Sequence, residues 1–294
     1  MFRSARLFRL FLAEQSDPDG FYTALARDAV RQVEEHGLLA GRTVLDIGGG
    51  PGYLTAAVRA RGGNCCLLEP DAAELVPRAP AGQAAPGRLA AGRTAIADGG
   101  RLPVADGGAD VCLSSNVLEH VRDPRGLLDE MVRVTGPGGL IYLSFTNWYS
   151  PWGGHEMSPW HYLGPRAAER RYIRRHGRLP KNRYATTLFP VHVGPVLRQV
   201  RARHDVEVIA ARPRYYPRWC RCLLLVPGLR EIATWNLLLI LRRTGERPRQ
   251  DHPAPCVSAV PHRCPDNVRN LTGLSTLSLT GQNSGADPDS PTLS

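Results

Sequence analysis

The sequence predicts an α/β fold with a doubly wound, mostly parallel seven-stranded sheet, and three observations carry this. Short apolar runs without alternation, such as 43–47 and 65–68, are what strands buried on both faces look like. Helix-type segments separate these runs at the spacing of β-α-β crossovers. A glycine loop, Gly48-Gly49-Gly50-Pro51-Gly52, follows the first run and precedes a helix, the place where open α/β sheets bind ligands.

Residues 1–12 read as a basic amphipathic helix. Arg6 and Arg9 break its apolar stretch and no small-residue cleavage site follows, so a signal peptide is not expected. Such a helix suits either a cover over an active site or a membrane surface, and the cover is preferred. Asp17 caps a second helix that starts at Pro18, runs to about His36 and ends at Gly37. The first strand, 43–47, leads through the glycine loop into a helix over 54–61, stopped by Gly62-Gly63. The second strand, 65–68, closes on Glu69-Pro70-Asp71. Residues 79–92, rich in Ala, Pro and Gly, predict a poor helix or a loop. The third strand covers 93–97 and is followed by Asp98; the fourth covers 110–114. Asp123 caps a helix over 124–134, and Pro137-Gly138-Gly139 turns into a fifth strand over 140–145.

From Asn147 to about Val200 the pattern is irregular, aromatic and histidine-bearing, and predicts an insertion over the carboxyl edge of the sheet. Strands over 205–211 and 235–241 complete the seven, joined by a helical connection over 218–226. After Arg243, Pro, Ser, Thr, Gly and Asn dominate and the apolar periodicity stops, so a disordered tail is expected. The chain thus divides into N-terminal helices (1–40), a ligand-binding core (41–146), a lid insertion (147–200), the rest of the core sheet (201–243) and a tail (244–294).

Composition excludes several classes of function. Apolar residues make up 43 % of the chain, enough for a sizeable core. No apolar run approaches the ~20 residues of a membrane span. The net charge of +10 raises a nucleic-acid reading, but the basic residues are scattered, and all except Lys181 are arginine. With abundant Ala, Gly and Pro, this reads as GC-rich coding, and no nucleic-acid partner is expected. Seven cysteines without a regular framework fit a reducing, cytoplasmic setting. Cys256, His262 and Cys264 lack a fourth ligand at zinc spacing, and no metal is expected.

The glycine loop calls for a nucleotide-type ligand, because glycine allows a sharp turn and close backbone approach. It does not fit a dinucleotide fingerprint: counted from Gly48, the third glycine would fall on Tyr53. Asp46 would also set a carboxylate near a pyrophosphate, whereas an ammonium and a sulfonium suit it. Glu69, at a strand end, can accept from both ribose hydroxyls. Asp98 can accept from an adenine amino group or simply form the turn before Gly99-Gly100.

The run Val44-Leu45-Asp46-Ile47-Gly48-Gly49-Gly50-Pro51-Gly52 resembles motif I of the class I S-adenosylmethionine-dependent methyltransferases. Ser115-Asn116-Val117-Leu118-Glu119-His120-Val121 and Pro137-Gly138-Gly139-Leu140 resemble later motifs of that family, in the right order. Within it, Gly153-Gly154-His155-Glu156-Met157, His161-Tyr162-Leu163-Gly164 and Pro213-Arg214-Tyr215-Tyr216-Pro217 are similar to stretches of actinobacterial methyltransferases. The resemblance covers roughly residues 10–243. It implies a Rossmann-like methyltransferase fold with S-adenosylmethionine as cofactor. It further implies that Asp46, Gly48, Gly50 and Gly52 hold the methionine end, Glu69 the ribose and Asp98 the adenine end, with Ser115 and Asn116 as the floor. An NAD-dependent oxidoreductase and a non-catalytic binding protein of the same fold are the alternatives.

Methyl transfer from a sulfonium needs alignment and exclusion of water rather than a protein nucleophile. A base is needed only where the acceptor must lose a proton. His155, Glu156 and His161, in the insertion, are the candidates for that base, or else they shape the lid. His155-Glu156 does not open a zinc-protease motif, since position 159 is Pro159. Trp148, Tyr149, Trp152, Trp160 and Tyr162 in the same segment suggest an apolar pocket for a small, lipophilic or aromatic acceptor, with at most peripheral membrane contact.

Overall fold

The computed structural model describes residues 2–14, 16–75 and 93–245. The segment expected as a poor helix over 79–92 and all but the first two residues of the expected tail lie outside these.

Seven strands form one sheet: β1 (Thr43–Ile47), β2 (Asn64–Glu69), β3 (Thr94–Ile96), β4 (Ala109–Ser115), β5 (Thr135–Thr146), β6 (Val206–Pro213) and β7 (Asn236–Arg243). Their order is β3-β2-β1-β4-β5-β7-β6, and β7 alone runs antiparallel to its neighbours β5 and β6. The doubly wound, mostly parallel sheet expected from the sequence is therefore present. Between β1 and β4 the strand order reverses, which opens a crevice beyond their carboxyl ends.

Burial explains why the strands read as unbroken apolar runs. Leu45, Ile47, Cys66, Leu68, Cys112, Ile141 and Leu143 point to one face. Val44, Cys65, Val111, Leu113, Leu140 and Tyr142 point to the other. Both faces are covered, so successive residues of one strand are apolar although they face opposite ways. The first face packs against α4 (Pro124–Val134) and α6 (Val193–Arg201); the second against α2 (Pro18–Glu34) and α3 (Tyr53–Arg59). Asp17 and Asp123 cap α2 and α4, accepting from the Gly20 amide and from the Arg125 and Gly126 amides, with proline opening each helix.

Three elements depart from the sequence expectation. First, α5 (Pro165–His176) and α6 are helices inside the segment expected to be irregular. Five of the twelve residues of α5 are arginine and only Ala168 is buried, so its apolar stripe is nearly invisible. In α6, Val193, Val196, Leu197 and Val200 form a clean buried stripe, but Gly194-Pro195 reads as a breaker; the proline sits harmlessly in the first turn. As α6 belongs to the main core, the insertion ends before it. Second, β5 begins at Thr135, directly after α4, because Thr135 already pairs with Ala109 across a β-bulge before Val111. Third, the connection over 218–226 is a 3-10 turn, Arg218–Leu225, followed by a short helix, α7 (Leu229–Ala233).

α1 (Phe2–Leu12) is held to the body at one point of strong electrostatics. Arg3 binds the buried Asp28 of α2 through two hydrogen bonds, from Nε at 2.6 Å and from Nη2 at 2.5 Å, and also donates to the Arg214 carbonyl. Phe8 and Phe11 of the same helix meet Trp152 and Trp235 edge-on. No helix among the described residues is long and apolar enough to cross a membrane.

Candidate active site

The crevice above β1 and β4 is a cleft of about 2280 Å3. Cavities for a single drug-sized ligand run to roughly 1,000 Å3, so this one has room for two molecules side by side. Its floor is the glycine loop. The Gly48 amide donates to the Leu68 carbonyl at 2.7 Å and carries the β1–β2 ladder one step further. Gly48, Gly50 and Gly52 all have positive φ, at 66°, 52° and 88°. At Gly48 a Cβ would stand 2.7 Å from both Val117 methyls; at Gly50 it would project into open space on the cleft side.

Two carboxylates hold this loop. Asp46 is buried at the end of β1, and its Oδ2 accepts from Thr55 Oγ1 at 2.7 Å. Its Oδ1 is buried without a partner. Burial pushes the Asp46 carboxyl up to about 6, only partly offset by Thr55. Glu69, at the end of β2, is also buried. Its Oε2 accepts from the Gly50 amide at 2.9 Å and its Oε1 from the Asp71 amide at 3.3 Å. Each oxygen keeps a further lone pair for the cleft, which Glu69 lines. Asp98 is exposed beyond β3 and accepts from the Gly100 amide at 3.0 Å, which is the turn-forming role.

Ser115 and Asn116, at the end of β4, line the cleft next to the loop. What anchors them was not visible in the sequence. Arg214, at the end of β6, is fully buried. Its Nη1 donates to Ser115 Oγ at 2.9 Å, Ser144 Oγ at 2.9 Å and Asn116 Oδ1 at 3.2 Å. Asn236 donates to the same Asn116 oxygen at 2.9 Å. Asn116 needs this support, because its φ of 59° is left-handed. Arg214 appeared in the sequence only as one residue of Pro213-Arg214-Tyr215-Tyr216-Pro217, among many scattered arginines.

The histidine-bearing insertion delivers some of its candidates to the cleft and withholds others. His155 lines the cleft, has a left-handed φ of 49°, and keeps a buried Nε2 without a partner. Burial pushes its imidazole down to about 4, so it is neutral at physiological pH. Glu156 lines the rim, where Oε2 accepts from Asn182 at 3.0 Å. His161 does not reach the cleft; it is buried, with Nε2 bonded to the Trp148 carbonyl at 3.1 Å. Gly153 and Gly154 permit this arrangement: a Cβ at Gly154 would sit 2.6 Å from the His161 ring, and one at Gly153 would strike the Trp148 carbonyl. His120 also faces the cleft, with its ring centroid 5.1 Å from that of His155.

Of the five aromatics singled out in the sequence, Trp152 lines the cleft. Trp148 is buried beneath the insertion with Met157, Ala168 and Leu188. Tyr149 stacks on His192, Trp160 lies under Arg171, and Tyr162 donates to the Tyr149 carbonyl. The aromatic wall comes instead from Phe8, Phe11, Tyr22, Tyr215 and Trp235 together with Trp152. Phe8 and Phe11 stand one helical turn apart, which the sequence did offer as a signal.

Comparison with known proteins agrees with this geometry. A family described as a methyltransferase domain matches residues 45–143, the stretch from β1 to β5. A Mycolicibacterium vanbaalenii protein named an uncharacterized methyltransferase is 50 % identical over 246 residues, which cover 82 % of this chain and 94 % of that one. A Mycobacterium marinum protein with the same description is 47 % identical over 245 residues, covering 81 % and 93 % of the two chains. A crystal structure of an S-adenosylmethionine-dependent methyltransferase from Mesorhizobium loti covers 73 % of this chain and 96 % of its own, with 20 % identity and a TM-score of 0.49. The chain belongs to the class I methyltransferases and, within them, to the family of these mycobacterial proteins.

Proposed function

We propose that this enzyme transfers a methyl group from S-adenosylmethionine to a small molecule with a lipophilic or aromatic body and an ionisable hydroxyl. One observation carries the choice of donor: the unpartnered, buried Asp46 Oδ1 stands beside a glycine loop whose Gly50 edge is open to the cleft. A cationic amino group satisfies that oxygen; a pyrophosphate would be repelled. Glu69 supplies the acceptors for a ribose diol, whereas Asp98, in the turn beyond β3, is not among the residues that line the cleft. When bound, the cofactor supplies an activated methyl on a positively charged sulfur.

The protein's own part is alignment. Arg214 fixes Ser115 and Asn116, so the floor beneath the reacting centre does not shift. Phe8, Phe11, Trp152 and Trp235 form a wall that excludes water from the second half of the cleft and takes an apolar acceptor. His120 and His155 are the groups placed to meet a polar atom of that acceptor.

Asp46 makes donor binding depend on pH. Its folded pKa lies above the ordinary carboxylate value, so ionising it costs folding stability, a cost absent below about pH 4 and growing as pH rises toward 6. A cationic ligand gains from the anion, so its affinity is full above about pH 6 and falls as pH drops below it. Calorimetric titration is expected to show S-adenosylmethionine binding at least several-fold weaker at pH 5 than at pH 7.5. Equal affinity at both values would remove Asp46 from the site.

The acceptor is tested by incubating the enzyme with methyl-labelled S-adenosylmethionine and a fractionated actinobacterial extract, then identifying labelled products by mass spectrometry. Label is expected in an organic-extractable small molecule. Label confined to protein or RNA would contradict the acceptor class.

A further inference from the structure

His120, His155 and Glu119 bring three potential metal ligands together beside the cleft. Among the described residues they are the group of His, Cys, Asp and Glu side chains whose ligand atoms, one per residue, all lie within 4.8 Å of one another. Closeness alone would mean little, but two of the three groups are left incomplete in the way that metal ligands are. Glu119 is buried, with 1 % of its surface exposed. Its Oε1 accepts from the Thr146 amide at 2.9 Å, while its Oε2 is buried without a partner. The His155 Nε2 is likewise buried and unpartnered. Leaving two such atoms bare is costly unless something binds between them.

The third group is oriented as ligating histidines are. His120 Nδ1 lies 2.8 Å from the Thr187 carbonyl, so it carries the proton and turns Nε2 outward as a lone pair. The backbone also holds His155 in place at a cost, since its φ of 49° is left-handed. Both histidines line the cleft, so a metal held here would keep coordination positions open toward the acceptor.

We infer that Glu119, His120 and His155 bind one divalent transition-metal ion that takes the acceptor hydroxyl. Two imidazoles and one carboxylate suit zinc, manganese, iron or cobalt better than magnesium or calcium, which favour all-oxygen shells. Bonds of about 2.1 Å require ligand atoms roughly 3–4 Å apart, and the present ligand atoms all lie within 4.8 Å of one another. This group was invisible in the sequence because Glu119-His120 and His155 are separated by the fifth strand, and no local spacing joins them.

The inference rests on the methyltransferase reading for its use. The bound hydroxyl becomes more acidic and releases its proton to solvent. Its oxygen then forms the new bond to the methyl carbon with its own electron pair. The carbon–sulfur bond breaks and its pair stays on sulfur, leaving a methyl ether and neutral S-adenosylhomocysteine.

The test uses the full chain, stripped with chelator and titrated with Co2+, alongside Glu119→Gln and His120→Ala. Glutamine keeps the oxygen that meets the Thr146 amide and replaces the bare oxygen by an NH2, so the fold is preserved. His120 is only half-buried, which makes its variant a second route should the first fail to fold. The expected result is one Glu119-dependent Co2+ per chain, with affinity at least about tenfold lower in each variant and the melting temperature unchanged. Sites elsewhere on the chain do not change between wild type and variant. Equal Co2+ binding by wild type and both variants, or none by wild type, overturns the site. S-adenosylmethionine titrated into the same samples separates the two claims: its failure to bind removes the proposed function and leaves the metal result standing.

Discussion

Glu69→Ala is expected to weaken S-adenosylmethionine binding by roughly a hundredfold. The carboxylate is asked to do two things at once. It faces the cleft with lone pairs for a ribose diol, and it already accepts from the Gly50 amide, which ties the glycine loop to the end of β2. Hydrogen bonds to a charged group contribute about 1.5–3 kcal/mol each. Loss of two, with part of the effect returned by water entering the gap, leaves about 3 kcal/mol, or two orders of magnitude in Kd. Glu69→Gln keeps one acceptor oxygen and should fall between the two. Calorimetric titration of the three proteins checks the order; a Glu69→Ala affinity within threefold of wild type would place the ribose elsewhere.

Gly48→Ala is expected to cost about 3 kcal/mol of stability, and Gly50→Ala only about 1 kcal/mol. The two glycines share the left-handed conformation, so each pays the same backbone strain of roughly 1–2 kcal/mol when a Cβ is added. Their surroundings differ. The new methyl at Gly48 meets the stiff, β-branched Val117 at 2.7 Å, while at Gly50 it meets no atom within 4 Å. For a domain of this size, 3 kcal/mol lowers the melting temperature by about 6–12 °C. The Gly50 methyl instead enters the open space proposed for the cofactor, so that variant should melt within a few degrees of wild type yet bind the cofactor poorly. Equal melting of both variants would mean that the packing of Val117 against the loop is not as described.

The parts of this enzyme that lie in one stretch of sequence were legible there. Asp46, the three glycines and Glu69 follow one another through a strand, a loop, a helix and a strand, so their spacing alone placed them at one edge of the sheet. The parts assembled from distant stretches were not. Arg214 reaches Ser115 and Asn116 across about 100 residues of chain, and although the stretch 213–217 stood out, nothing in it pointed to those partners. The aromatic wall joins Phe8 and Phe11 to Trp152 and Trp235, three segments that meet only through the tertiary fold. Within the insertion, residue type gave His155 and His161 equal standing. Burial against the Trp148 carbonyl removes His161 from the cleft, while the tight Gly153-Gly154 turn delivers His155 to it.

We propose that the loop beginning at Asp46 holds a cationic cofactor rather than a dinucleotide. Titration of the wild-type chain with S-adenosylmethionine and, separately, with NADH tests it most directly. Saturable one-to-one binding of S-adenosylmethionine and none of NADH is expected, with Tyr53 standing where a dinucleotide loop needs its third glycine. Tight NADH binding with none for S-adenosylmethionine would contradict it.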